Sequence, residues 1–258
     1  MRLIYFLSVL LILGLNAAGQ TIKEMTPELG QLIDKSPEGE LAFIKQRNEC
    51  EQLWARLQGE VDTQKLSAAD RKIYQRCAEM GEEEGYWDVL GPGCSWYCGG
   101  GDDTTTASSC LKSVKALQYS SRSLHDFSYR TAWVEGVPGY GIGEYVVCHF
   151  PPQNPRITKI IIVNGYVKSE QTWKDNSRVK KLKLYIDDKP VAILNLADSR
   201  REQYFKFDPI GYGDRADFDK LIARPWWTMK FEIMDVYKGD KYDDTAITEI
   251  YFDGVDVH

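Results

Sequence analysis

The sequence predicts a mainly β protein, a two-sheet sandwich preceded by a helical hairpin, and three observations carry that prediction. Helical periodicity is confined to the stretch before residue 85. From about residue 113 onward, short apolar-alternating runs follow one another with turn signals between them and no helical pattern. The two regimes meet in a glycine-dense loop, Thr131 to Tyr145, where Gly136, Gly139, Gly141 and Gly143 permit tight turning and the β-branched run Tyr145-Val146-Val147 follows as a strand.

At the N-terminus, Arg2 precedes the apolar run Leu3 to Leu13, and the small residues Ala17, Ala18 and Gly19 lead into Gln20. That order is a secretory signal peptide over residues 1–19, with cleavage after Gly19. The run is short for a membrane span, so the mature chain is expected to be secreted or periplasmic rather than membrane-spanning. Residues 20–85 read as helical. Ser36 caps a helix with Pro37 at its first position, and Cys50, Leu53, Trp54 and Leu57 fall on one face. A second helix starts at Ser67-Ala68-Ala69-Asp70 in capping-box style, and its buried face carries Ile73, Cys77 and Met80. Cys50 and Cys77 then point into the seam between the helices and are expected to pair.

Residues 86–112 form a Gly-, Cys- and Ser-rich connector with Cys94, Cys98 and Cys110; Cys148 follows in the sandwich. Six cysteines in an exported chain imply disulfides. Cys94 and Cys98 either close on each other or reach Cys110 or Cys148. A zinc site is the rival reading, although the three histidines form no ligand pattern. In residues 113–258, strands are expected at 115–120, 144–150, 156–163, 180–186, 190–196, 202–207, 226–236 and 246–252. Leu182, Leu184 and Ile186 alternate with Lys181, Lys183 and Tyr185, and Met229, Phe231 and Ile233 alternate with Lys230 and Glu232, as half-buried strands require. Turn residues such as Asn164-Gly165 and Asp208-Pro209 separate the runs. Successive short strands without crossover helices favour a sandwich over a parallel α/β sheet.

A formal charge of −6, without a basic stripe, argues against a nucleic-acid partner. Seven Trp and fifteen Tyr exceed ordinary core demand and suit a binding surface. The acids Asp235, Asp240, Asp243, Asp244, Glu249, Asp253 and Asp256 lie largely among turn residues, where solvated or capping roles dominate over a two-carboxylate catalytic pair. No nucleophile elbow, phosphate loop or His-Glu-x-x-His is present in the sequence.

The ordered series Arg130-Thr131-Ala132-Trp133, Gly141-Ile142-Gly143-Glu144, Asn164-Gly165-Tyr166, Trp173, Asn176-Ser177-Arg178 and Asp244-Thr245-Ala246-Ile247-Thr248-Glu249-Ile250 resembles the NADase-type glycan-binding family. That family is named for the non-catalytic module of a bacterial NAD-glycohydrolase toxin and is related to discoidin, or coagulation-factor type C, domains. The resemblance spans roughly residues 113–255. It implies a galactose-binding-like jelly-roll β-sandwich and a glycan or glycoconjugate ligand, and it does not extend to the toxin's NAD-cleaving domain. By the same resemblance a structural Ca2+ would take Asp126, Thr131 and Glu249, although Asp126-Phe127-Ser128 replaces the usual Asp-Gly-Asp. Loop residues Tyr166, Lys168, Trp173, Asn176 and Arg178, or Glu135, Tyr140 and Glu144, are candidate sugar contacts. Trp133 is expected to plug the core, and Arg178 to stitch its loop to the sheet through Asp244. The first expectation is an exported carbohydrate-binding module without catalysis. The alternatives are an envelope protein-interaction module that uses the hairpin and connector and, more distantly, a glycan or nucleotide hydrolase.

Overall fold

The computed structural model describes residues 22–257 apart from 58–62, 81–84, 92, 102–103 and 115–116. The expected signal peptide lies outside the described residues. Two helices, α1 (Pro37–Leu57) and α2 (Ala68–Met80), form the hairpin. Ser36 Oγ accepts the Gly39 N–H at 3.0 Å, and Ser67 Oγ accepts the Asp70 N–H at 3.1 Å, so both expected caps are made. Cys50 and Cys77 are joined, with an S–S distance of 2.08 Å and Cα atoms 5.8 Å apart. Trp54 departs from the expected buried face. It is 45% exposed and meets Tyr74 edge-on, 5.3 Å between centroids, at the rim of the hairpin.

The strands are β1 (Lys23–Met25), β2 (Glu28–Leu32), β3 (Thr104–Ala107), β4 (Trp133–Val134), β5 (Tyr145–Phe150), β6 (Arg156–Asn164), β7 (Ser177–Ile186), β8 (Lys189–Asn195), β9 (Arg201–Ile210), β10 (Trp227–Tyr237) and β11 (Thr245–Val255). One leaf runs β2-β9-β6-β11-β4 and the other β1-β8-β7-β10-β5-β3, joined where Thr245 and Ala246 pair in parallel with Ser177 and Arg178. The alternating residues behave as expected: Leu182 and Leu184 of β7 and Met229, Phe231 and Ile233 of β10 are buried against Ile160, Ile162 and Ile250 of the opposite leaf. Strand β6 reads instead as an unbroken apolar run because both of its faces are covered. Ile160 and Ile162 face the central core, while Ile161 and Val163 pack on Ile33, Trp87, Tyr129 and Tyr251 outside it. Trp133 is fully buried, as expected.

Several segments differ from the expectation. Residues 23–32 form strands where helix was expected. Lys23 to Met25 pair in parallel with β8, and Glu28 to Leu32 pair antiparallel with β9. The segment thereby covers the open edge of each leaf with backbone hydrogen bonds. Thr104 to Ala107, inside the connector, add an edge strand to β5. In place of the expected strand at 115–120, the described residues make a Val114–Leu117 bridge, and Tyr119 O accepts the Val134 N–H at 3.3 Å. Two short helices occupy loops of the sandwich, α3 (Glu170–Asp175) and α4 (Phe218–Ile222). Cys94, Cys98, Cys110 and Cys148 form no further bridge in the structure; Cys148 is buried in the core, where β5 places its side chain inward.

Candidate functional site

The turn after β6 builds one wall of the site. Asn164, 1% exposed, clamps the start of β7: its Nδ2 donates to Val179 O at 2.7 Å and its Oδ1 accepts the Val179 N–H at 3.0 Å. Gly165 follows at φ +78, and a Cβ there would meet Arg178 Cγ at 2.7 Å and Trp173 Cδ1 at 2.8 Å. Only glycine fits a left-handed backbone this close to two side chains. Thr248 then ties the turn to β11, donating to Gly165 O at 2.7 Å and accepting the Val167 N–H at 3.1 Å. The loop ends in α3, capped by Ser169, whose Oγ accepts the Thr172 N–H at 3.0 Å.

Against this wall lies an open groove of 580 Å³. Tyr119, Tyr166 and Tyr242 supply rings to it, and Lys112, Lys168, Asn176 and Asp244 supply polar groups. Leu111, Val114, Leu117 and Val134 form its apolar floor and rim. Burial, and then the neighbouring Tyr119, push the Tyr166 hydroxyl up to about 12. Burial, with Asp244 nearby, likewise raises Tyr119. Both phenols stay neutral at physiological pH and both donate and accept. Asp244 is held above the usual carboxylate range by burial first and by the Asp243 charge second.

Of the expected contacts, Tyr166, Lys168 and Asn176 meet in this groove, whereas Trp173 and Arg178 stand behind it. The Trp173 indole donates to Asn164 O at 3.1 Å, and the Arg178 guanidinium stacks on its ring at 4.3 Å. Arg178 is 7% exposed and pairs with Asp198, not Asp244, through Nε–Oδ1 at 2.8 Å and Nη2–Oδ2 at 3.2 Å. Its Nη1 also donates to the carbonyls of Trp173 and Asn176 at 3.1 and 3.0 Å. The second expected set does not line this groove. Glu135 is fully buried and accepts the Val137 and Thr245 N–H groups at 2.8 and 3.3 Å; burial raises its carboxyl. Glu144 accepts the Ser108 hydroxyl at 2.6 Å, and the half-buried Tyr140 ring lies 4.9 Å from the Lys238 ammonium. Tyr119, Tyr242, Lys112 and Asp244 joined the groove without a pattern in the sequence to mark them together.

A second cluster lies beyond Tyr166, whose hydroxyl donates to Arg130 O at 3.2 Å. Asp126, Thr131 and Glu249 come together here. The Thr131 hydroxyl is 2.8 and 2.7 Å from the two Asp126 carboxylate oxygens. The Ser128 N–H donates to both acids, at 3.1 Å to Asp126 Oδ1 and 3.1 Å to Glu249 Oε1. Phe127 takes φ +57, the left-handed conformation for which a glycine would be better suited. Glu249 is completely buried and its Oε2 has no hydrogen-bond partner. Burial first, then the Asp126 charge, push it well above the carboxylate range. A buried orphan oxygen beside a second carboxylate and a hydroxyl is a set of hard-oxygen donors of the type that Ca2+ takes. Three of the other C-terminal acids are engaged as ion pairs: Asp235 with Lys180, Asp253 with Lys159 and Asp256 with Arg156.

These elements define a galactose-binding-like β-sandwich with a loop-built groove. A family model for the NAD glycohydrolase translocation F5/8 type C domain matches residues 96–253. The chain belongs to that family. No curated protein matches it. Among solved structures it is similar to the CBM32-1 and CBM32-2 domains of Clostridium perfringens ZmpB in complex with GalNAc, at 14% identity and TM-score 0.41. That match covers 59% of this chain and 33%, about a third, of the other. A C. perfringens CBM32-5 module in complex with GalNAc-β-1,3-galactose also matches at 14% identity and TM-score 0.41, over 58% of this chain and 94% of the other. The Streptococcus pyogenes NAD+-glycohydrolase translocation domain matches at 22% identity and TM-score 0.31, over 48% and 98%. No helix among the described residues is long and apolar enough to cross a membrane.

Proposed function

We propose that the protein is an exported carbohydrate-binding module, acting without catalysis, whose ligand lies in the groove of Tyr119, Tyr166 and Tyr242. The observation that carries this reading is the meeting of those rings with Lys168, Asn176 and Asp244 in one open cleft. A pyranose has an apolar C–H face and a rim of hydroxyls. Tyr242, 42% exposed, offers a flat surface to the first. Lys168 donates, Asp244 accepts, and the Asn176 amide, already anchored to Thr172 O at 2.8 Å, turns its oxygen to the second. A shallow groove gives modest affinity for a single sugar. A glycan array followed by calorimetry tests the reading, and no saccharide binding with or without calcium would remove it. Binding that uses the Asp244 carboxylate weakens as pH falls through its raised pKa, starting at a higher pH than for an ordinary aspartate. Asp244→Asn flattens that dependence, and calorimetry from neutral pH downward measures it.

Ca2+ at Asp126, Thr131 and Glu249 would be the structural cofactor, fixing the loop whose Arg130 carbonyl accepts the Tyr166 hydroxyl. At a hundredfold excess over its Kd it adds about 2.7 kcal/mol of stability. Glu249→Gln abolishes that gain. Urea unfolding in calcium against chelator measures it, and identical curves for the native chain would exclude the site.

A second reading, recognition of an envelope protein through the hairpin, draws on Leu41 and Ile44 of α1, which are 70% and 46% exposed. Leu41→Asp with Ile44→Asp tests it without stripping β1 and β2 from the sandwich. Loss of an envelope partner in pull-down, unaffected by added sugar, would favour it.

A further inference from the structure

The connector carries a feature that the groove does not use. Cys94 and Cys98 bracket a single 3-10 turn, Trp96–Cys98, and their sulphurs lie 3.4 Å apart. Both side chains are exposed. The residues between them do the opposite. Trp96 is 1% exposed, donates its indole N–H to Pro155 O at 3.1 Å and packs on Phe150 and Phe252. Tyr97 accepts the Phe252 N–H at 2.9 Å and meets the Phe127 ring at 4.8 Å. Two exposed thiols therefore stand at the mouth of an aromatic wedge that reaches both the central core and the 126–131 loop. Cys148 is buried in the core and Cys50 and Cys77 are already joined, so the one other exposed thiol among the described residues is Cys110.

We propose that Cys94 and Cys98 are a thiol–disulfide clasp that closes around Trp96 and Tyr97 in the exported protein and opens again under mild reduction. The oxidant is a small-molecule disulfide, RSSR. Cys98 Sγ, which accepts the Ser95 N–H at 3.3 Å, attacks one sulphur of RSSR. The RS–SR bond breaks, and the departing RS− takes up the proton that the Cys98 thiol lost. Cys94 Sγ then attacks the Cys98 sulphur of the mixed disulfide and displaces the second RS−, which takes up the Cys94 proton. Two protein thiols are oxidised and one RSSR is reduced to two RSH. The Ser95 N–H first, and then the Cys94 thiol, lower the Cys98 pKa, which suits it as the attacking group; the same contact raises Cys94. Closing this short loop before unfolding favours the folded form by roughly thirtyfold, by the loop-entropy relation.

The full chain, purified without reductant, is alkylated after unfolding and mapped by peptide mass spectrometry. The expected peptide carries both Cys94 and Cys98 unalkylated and is lighter by two hydrogens. Graded reduced and oxidised glutathione opens it while Cys50–Cys77, at 8% exposure on each side, stays closed. Alkyl groups on both residues, a bridge from either to Cys110 or Cys148, or protection by a bound thiophilic cation without loss of hydrogens would each overturn the proposal. Urea unfolding supplies the second readout. Reduced native protein and Cys94→Ser/Cys98→Ser share one midpoint and the oxidised protein lies above it; coincidence of all three would contradict the clasp.

Discussion

Trp133→Ala lowers the stability of the sandwich by about 4 kcal/mol, the range for removing a fully enclosed indole. The ring is 0% exposed and its strand pairs with β11 through Trp133↔Ile247 and Val134↔Ala246. Its Nε1 also holds Ser109 O at 3.0 Å, which fastens the connector to the core. Two losses are therefore combined, cavity and orphaned carbonyl. Trp133→Phe separates them: it fills most of the volume but leaves Ser109 O unpaired, at a cost of about 1–2 kcal/mol. Urea midpoints at unchanged slope give both figures. The alanine variant also weakens ligand binding, because Val134 lines the groove and its carbonyl accepts the Leu111 N–H at 2.8 Å.

Arg178→Ala costs about 3 kcal/mol and carries the groove wall with it. Removal of the guanidinium leaves Asp198 without its partner and strips a donor from the Trp173 and Asn176 carbonyls. The Trp173 ring loses its covering cation as well. Arg178→Lys does not restore the wild-type value, since one ammonium cannot bridge Asp198 in two bonds and reach both carbonyls. Unfolding and calorimetry on the same samples distinguish positioning from contact. A positioning residue loses stability and affinity together. Lost affinity with unchanged stability would mean that Arg178 touches the ligand, as the sequence reading expected.

That difference shows where the sequence was informative. Strands β5 to β11 were legible because one or both faces are buried and the apolar pattern reports it, as in Leu182–Leu184 and Met229–Phe231–Ile233. Strands β1 to β3 were not. Lys23-Glu24-Met25 and Thr104-Thr105-Thr106 carry no alternating apolar signal; they form because β8, β9 and β5 offer open edges. The Cys50–Cys77 pairing followed from helical phase alone, and both caps followed from Ser36 and Ser67. The meeting of Asp126, Thr131 and Glu249 followed from the resemblance, with Phe127 holding the backbone shape of a missing glycine. The groove was only partly visible. Tyr166, Lys168 and Asn176 are local to one turn, but Tyr119, Tyr242 and Asp244 join them from distant segments, and spacing carries no record of that meeting. Arg178 chose Asp198 for the same reason: the β8–β9 connection, not the 244 turn, passes its guanidinium.

The most direct test of groove recognition is a titration of an array-selected saccharide into isotope-labelled protein, read by amide chemical shifts. The expected result is saturable change at Lys112, Tyr119, Lys168, Asn176 and Asp244, still amides across 136–144, and about a tenfold loss of affinity in Tyr242→Ala, from ~1.4 kcal/mol of ring contact. Shifts centred on the 136–144 loop, with Tyr242→Ala binding as tightly as the native chain, would contradict it.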